Sequence, residues 1–193
     1  MREMPRVDAY IGVGSNVEPE AHIVRALDIL DRHVRIVAVS SFYRTEPIGP
    51  PGQPPFVNGV IRIITSILPR ALKFDILRAV EAELGRVRPV ANRYLPRPID
   101  LDLLLYGGLV VREADLTLPD PDLRTRPFLV RAVLELEPAL VLPDTGLPLR
   151  SVSVEDTSRP VDLPELTADL KARFSGHAAG FTRASGPGPR CRR

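Results

Sequence analysis

Cysteine is nearly absent from this chain: one, Cys191, stands among the last three residues. A single thiol excludes a disulfide framework and any cysteine-based metal centre within one chain. That agrees with a reducing, cytoplasmic setting. Histidine is scarce too: His22 and His33 fall on a helical stretch, and His177 lies in the last segment. No Ser-His-Asp or Cys-His pattern can be assembled around the loops that carry the other polar groups. An attacking group therefore has to come from a substrate hydroxyl. Only Lys73 and Lys171 are lysines; every other basic residue apart from histidine is arginine. There is no Gly-Lys-Ser/Thr and so no Walker A loop, which leaves arginines and metal to meet the charge of any bound nucleotide. No apolar run approaches the length of a membrane span. The opening MREMPRVDAYIGVGSN holds charges and no signal-peptide core.

What is there is an ordinary globular composition: 193 residues, 44% hydrophobic, 26% charged, net charge +2. That length suits one domain with one core. DAYIGVGSN, Asp8 to Asn16, reads as a short strand ending in a glycine turn. Pro19 suits the first turn of a helix, along which Ile23, Leu27 and Leu30 recur at helical spacing. VRIVAVSSFYRT, Val34 to Thr45, is β-branched and aromatic and predicts a strand. Glu46 to Phe56 holds five prolines in eleven residues and has to be irregular. VNGVIRIITSI is the next strand. Pro69 opens a second helix, with Phe74, Leu77, Val80 and Leu84 along one side and Gly85 as its cap.

An arginine-rich loop then leads into the strand IDLDLLLYG. Leu116 to Phe128 is a second proline-punctuated loop, and LVRAVLELEP is a short helix stopped by Pro138. The order strand, helix, strand, strand, helix, strand is that of a split βαβ unit. It predicts an α+β fold, ferredoxin-like βαββαβ, with an antiparallel sheet and helices packed on one side. A doubly wound α/β domain fits less well, because two strands follow each other with no helix between them. Leu163 to Phe174 can form one more helix. The remainder is small, polar and basic at its end, and reads as a disordered tail.

The chemistry concentrates in GRVRPVANRYLPRPIDLDLLLYGG, Gly85 to Gly108. Arg86, Arg88, Arg93 and Arg97 precede an apolar strand that carries Asp100 and Asp102. Residues two apart on a strand share a face, so the two carboxylates sit side by side. On a strand this apolar, an uncompensated pair costs on the order of several kcal/mol. Magnesium is the ordinary way to hold such a pair, and two ions can bridge it to nucleotide phosphates. The plain alternative is two exposed strand positions with no ligand. Guanidinium groups fork onto phosphate oxygens, so metal-holding carboxylates beside arginines point to phosphoryl-type transfer from a nucleotide. Phe56 and Phe128 end the two proline loops, and a pair of aromatic faces can sandwich a flat ring. Asn58, on the same strand face as Phe56, offers a donor and an acceptor to a heterocycle edge. Each phenylalanine alone is more simply a core residue.

Together IGVGSN, SSFYRTEPIGPPGQPPFVNGV, LGRVR with PRPIDLDLLLYG, and LTLPDPDLRTRPFLV resemble the 6-hydroxymethyl-7,8-dihydropterin pyrophosphokinase family. The resemblance implies transfer of the diphosphate of ATP to the pterin hydroxymethyl group, with release of AMP, in folate biosynthesis. It implies Asp100 and Asp102 as catalytic residues holding two Mg²⁺ ions, with Arg86 and Arg97 also catalytic. It places Glu81, Arg88, Arg93, Tyr94, Thr117, Leu118 and Arg126 at the nucleotide. Thr45, Ile48, Phe56, Asn58 and Phe128 fall at the pterin. Asp120 stands where the family commonly carries histidine, and Tyr94-Leu95 where it carries Trp-Gly. The family's catalytic domain is expected over residues 1–162, with a helix and basic tail over 163–193. The expected partners are ATP and the pterin alone, with no nucleic acid and no membrane, in a cytoplasmic monomer. Two other readings compete: a homologue that binds nucleotide or pterin without turnover, and an RNA-binding ferredoxin-like module. The latter lacks the aromatics interleaved on central strands that such modules use.

Overall fold

The structure, a computed structural model, describes residues 5–47, 52–87, 96–152 and 160–174. The chain opens with β1 (Val7–Ser15), α1 (Pro19–Leu30), β2 (Arg35–Val39), β3 (Tyr43–Thr45) and β4 (Phe56–Thr65). A helix in three consecutive pieces follows: α2 (Pro69–Ala71), a π-helical stretch (Leu72–Leu77) and α3 (Arg78–Glu83). β5 (Asp100–Tyr106), the short hairpin β6 (Val111–Arg112) and β7 (Thr117–Leu118), α4 (Pro127–Leu136), β8 (Val161–Asp162) and α5 (Pro164–Phe174) complete it.

The main sheet is antiparallel throughout and follows the expected ferredoxin-like order. β4 is central, with β1 and then β5 on one side. On its other side β2 pairs along one half and β3 along the other, and β8 adds to β3. The stretch expected as one strand, Val34 to Thr45, is thus two. The break lies at Ser40 to Phe42, where the Ser40 hydroxyl accepts the Val60 N–H (2.9 Å). The fully buried Phe42 turns onto Gly59, where a β-carbon would sit 2.7 Å from its ring. No larger residue fits at 59 without moving Phe42.

The helices do not all lie on one side of the sheet. Ala9, Ile11, Val13, Ile61, Ile63, Leu101 and Leu103 face a core shared with α1, the α2–α3 helix and α5. Tyr10, Val60, Leu104 and Leu105 face a second core closed by Leu129, Ala132 and Val133 of α4. The reason is in the strands: both faces of β1, β4 and β5 carry large apolar side chains, so both need a cover. An irregularity opposite Tyr10 and Ile11 lets β5 place Leu104 and Leu105 on the α4 side together.

The second helix departs from the simple amphipathic reading. Leu77, Val80 and Leu84 are buried as expected. Phe74 is only half-buried and lies under the guanidinium groups of Arg70 (4.9 Å) and Arg78 (4.2 Å). The π-helical stretch spends extra residues on its turn, so the spacing that would align Phe74 with Leu77 does not hold there. Gly85 ends the helix with φ +80°, a left-handed conformation that glycine adopts without strain.

No described helix is long and apolar enough to cross a membrane. The tail expected to be disordered lies outside the described residues, while α5 sends Leu166, Leu170 and Phe174 into the first core.

Candidate active site

One end of the sheet, on the α4 side, brings the predicted polar residues together. The register sets Gly14 opposite Asp100 on β5 and opposite Asn58 on β4, while Gly12 stands opposite Asp102. Asn58 faces Tyr43 and Phe56 faces Thr45. Directly paired residues share a face, so Thr45, Phe56, Asn58, Asp100 and Asp102 all project the same way. Between the amide on β4 and the carboxylates on β5, β1 presents only the hydrogen atoms of Gly12 and Gly14. The result is a floor with no side chains of its own between two polar walls, with the Leu104 side chain 3.5 Å from where a β-carbon on Gly12 would stand. These glycines were expected in a turn, yet they lie inside β1. Their spacing of two was the available sign that one face of the strand is empty.

The β4 wall is fixed by a hydrogen bond from Asn58 Nδ2 to the Thr45 hydroxyl (2.8 Å). Asn58 Oδ1 leans over the floor, and a β-carbon on Gly14 would sit 2.7 Å from it. Gly14→Ala is therefore expected to displace Asn58. A rise of at least about tenfold in the KM of a substrate that lies on this floor, with the protein still folded, follows from losing an oriented hydrogen-bonding group. Steady-state kinetics with circular dichroism checks it, and an unchanged KM would show that the floor is not ligand space.

The β5 wall is an ionic cluster. Arg86 lies between Glu81 and Asp100 and also donates to the Ile99 carbonyl (3.2 Å). Its side chain is 9% exposed and that of Glu81 is 2% exposed. Glu81 further accepts the Leu101 N–H (2.8 Å), pinning α3 to β5. Arg97 pairs with the other oxygen of Asp100, and its guanidinium lies 5.7 Å from the Phe56 ring centre. Asp100 is thus neutralised by two arginines rather than left facing its neighbour. Asp102 is open to solvent, and no hydrogen bond to its carboxylate occurs among the described residues. Its carboxyl is pushed up to about 7: protein atoms crowd round it and strip part of its hydration although one side reaches solvent, and the charges of Asp100, Asp120 and Glu81 add to this against the pull of Arg86.

Asp120 approaches from the loop after β7. Its N–H bonds the Leu104 carbonyl of β5 (2.9 Å), and its carboxylate accepts the Asp122 N–H (2.8 Å). Burial, first of all, raises its own carboxyl. The same loop carries Arg126, whose Nε lies 2.7 Å from Asp122 at the start of α4. Phe128 sits in the first turn of α4, half-buried against the second core. Thr117 is half-buried, whereas the Leu118 side chain is fully buried in the first core and leaves only backbone to offer a ligand. Glu81, expected at the nucleotide, spends its carboxylate on Arg86 and the Leu101 N–H. Ile48, Arg88, Arg93, Tyr94 and Leu95 lie outside the described residues.

Sequence reasoning gave no role to Asn16, which joins both loops to the end of β1. Its side chain accepts the Arg97 N–H (2.7 Å) and reaches the Pro54 carbonyl (3.4 Å), while its own N–H bonds the Arg97 carbonyl (3.2 Å). Ser15 adds a bond to the Pro98 carbonyl (2.6 Å). A Ser-Asn pair at the close of β1 was the only sign of it in the sequence.

Among the described residues no group of three or more His, Cys, Asp or Glu is set to hold a metal. Two carboxylates beside the glycine floor, one without a hydrogen-bond partner among the described residues, suit a cation that keeps water ligands and takes the rest from phosphate.

A family model described as 7,8-dihydro-6-hydroxymethylpterin-pyrophosphokinase matches residues 10–138. Three relatives carry the name 2-amino-4-hydroxy-6-hydroxymethyldihydropteridine pyrophosphokinase. The one from Pseudomonas aeruginosa is 42% identical over 138 residues, covering 70% of this chain and 83% of its own. Those from Haemophilus influenzae (38% over 144 residues; 73% and 88%) and Aquifex aeolicus (36% over 152 residues; 78% and 93%) are similar in extent. With that coverage, and with the carboxylate pair and the amide placed on one sheet face, the chain belongs to the 7,8-dihydro-6-hydroxymethylpterin-pyrophosphokinase family.

Proposed function

We propose that this chain transfers the diphosphate of ATP to the hydroxymethyl group of 6-hydroxymethyl-7,8-dihydropterin, releasing AMP, with Mg²⁺ required. The observation that carries this reading is the glycine floor of β1 between Asn58 and Thr45 on one side and the Asp100, Asp102 and Arg97 group on the other. A flat heterocycle on the β4 side and a triphosphate on the β5 side would meet above Gly12 and Gly14.

Asp100 and Asp102 would hold Mg²⁺, which supplies charge neutralisation at the phosphate oxygens. Asn58 offers its amide to the edge of the ring, and Phe56 offers a face for stacking. Arg97, between Asp100 and Phe56, stands where the two substrates join and offers its guanidinium to the transferring group. Arg86 and Glu81 hold Asp100 and β5 in place from below. The pterin hydroxyl oxygen bonds to the β-phosphorus as the α–β bridge breaks, AMP keeps the bridging oxygen, and the hydroxyl proton passes to water. Protein side chains make no covalent bond, so the rate comes from positioning and charge.

Incubation with Mg²⁺, ATP and the hydroxymethyl dihydropterin is expected to give AMP in step with pterin diphosphate. Folded protein that binds both substrates in calorimetry yet yields no AMP would instead be a binding homologue.

A further inference from the structure

We propose that Thr167 of α5 is a positioning residue for the pterin side of the site, acting through the break between β2 and β3. The inference rests on the reaction proposed above. Thr167 lies beyond residue 138, where the family match ends.

The chain of contacts is continuous. The Thr167 hydroxyl accepts the Phe42 N–H (2.9 Å) in a buried setting, and the Leu163 N–H bonds the Phe42 carbonyl (3.0 Å). Both backbone groups of Phe42 are thus taken by the C-terminal segment, at the point where the chain has left β2 and not yet entered β3. β8 then pairs with β3, setting Asp162 opposite Tyr43 and Val161 opposite Arg44. Arg131 of α4 stacks on Tyr43 (4.8 Å) and reaches Asp162 (3.7 Å). At the far end of this three-residue strand, Thr45 takes the Asn58 amide. A strand this short, paired on one side only, has few bonds to fix it. The C-terminal segment supplies a second row of partners and anchors the strand's entry. The aim of Asn58 over Gly14 therefore depends on residues more than a hundred positions away in sequence. The β5 wall lies two strands away and shares none of these contacts.

Thr167→Val keeps the shape of the side chain and removes the acceptor; Thr167→Ser keeps the acceptor. The valine variant is expected to raise the KM for the pterin about fivefold, the size of one lost hydrogen bond. The kcat and the KM for ATP are expected to stay within about twofold, since the unaltered groups still meet the nucleotide. Amide exchange at Phe42, followed by NMR, should accelerate in the valine variant alone, and the serine variant should restore both readings. An unchanged pterin KM while the Phe42 amide is exposed overturns the inference. So does a parallel loss in all kinetic constants, which marks general loosening. If the unaltered protein makes no AMP, the proposed reaction fails first and this inference goes with it. If it does make AMP, the valine variant judges the inference alone.

Discussion

Asp102→Asn is expected to lower AMP formation by about a thousandfold or more, while the metal-free variant melts at a higher temperature at pH 8 than the unaltered protein. The second half of this expectation comes from the crowding of negative charge. Asp102 is raised to about 7 by lost hydration and by Asp100, Asp120 and Glu81. A carboxyl raised on folding binds a proton that the unfolded chain has already lost. The folded state therefore loses stability as pH rises from the ordinary carboxylate value to about 7, and the full penalty stands above it. Asparagine carries no such charge. The melting difference between variant and unaltered protein should be largest at pH 8, shrink through neutrality and vanish near pH 4. Each kcal/mol of relieved repulsion moves the melting point by about 2–4 °C in a chain of this size. Adding Mg²⁺ should stabilise the unaltered protein and have little effect on the variant. A melting difference that is the same at pH 8 and pH 4 would show that no repulsion acts on this carboxylate.

The parts of the fold that follow from periodicity were legible. The prolines that open α1 and α2 and the helix end at Gly85 stand where the sequence puts them, and the β-branched runs are strands, although Val34 to Thr45 is broken into two. The second covered face was missed because Tyr10 on β1 and Leu104 with Leu105 on β5 break the simple alternation, and such a pattern does not say which helix covers which side. The side-by-side placement of the acidic pair was legible, because residues two apart on a strand share a face. Its environment was not. Asp100 is met by Arg86 and Arg97, contacts set by how α3 and the loop return to β5. Glu81 was expected at the nucleotide from the family resemblance alone, and its depth, set by packing of α3 against β5, leaves no sign in the sequence around it. The same holds for Asn16 and Thr167, whose partners lie far away in sequence. Hydrogen bonds to distant backbone groups leave no periodic trace.

Glu81→Leu is expected to be the most damaging single change to stability in the cluster. It removes the acceptor of the buried Leu101 N–H and half the neutralisation of Arg86, whose side chain is 9% exposed. Removing one partner of a buried ion pair costs about 3–5 kcal/mol, or roughly 10 °C in melting temperature. Arg86→Met should cost somewhat less: it too strands a buried charge, the Glu81 carboxylate, but Glu81 keeps the Leu101 N–H and Asp100 keeps Arg97. The double variant Glu81→Leu with Arg86→Met removes both buried charges together. It should therefore melt well above the temperature that adding the two losses would give, since apolar groups of similar volume pack where a lone charge cannot. Turnover should not return with stability, because Asp100 then has only Arg97 to hold it. Losses that simply add would mean that Glu81 and Arg86 are solvated independently. A double variant that regained turnover would mean that the pair serves the core and leaves the aim of Asp100 to other groups.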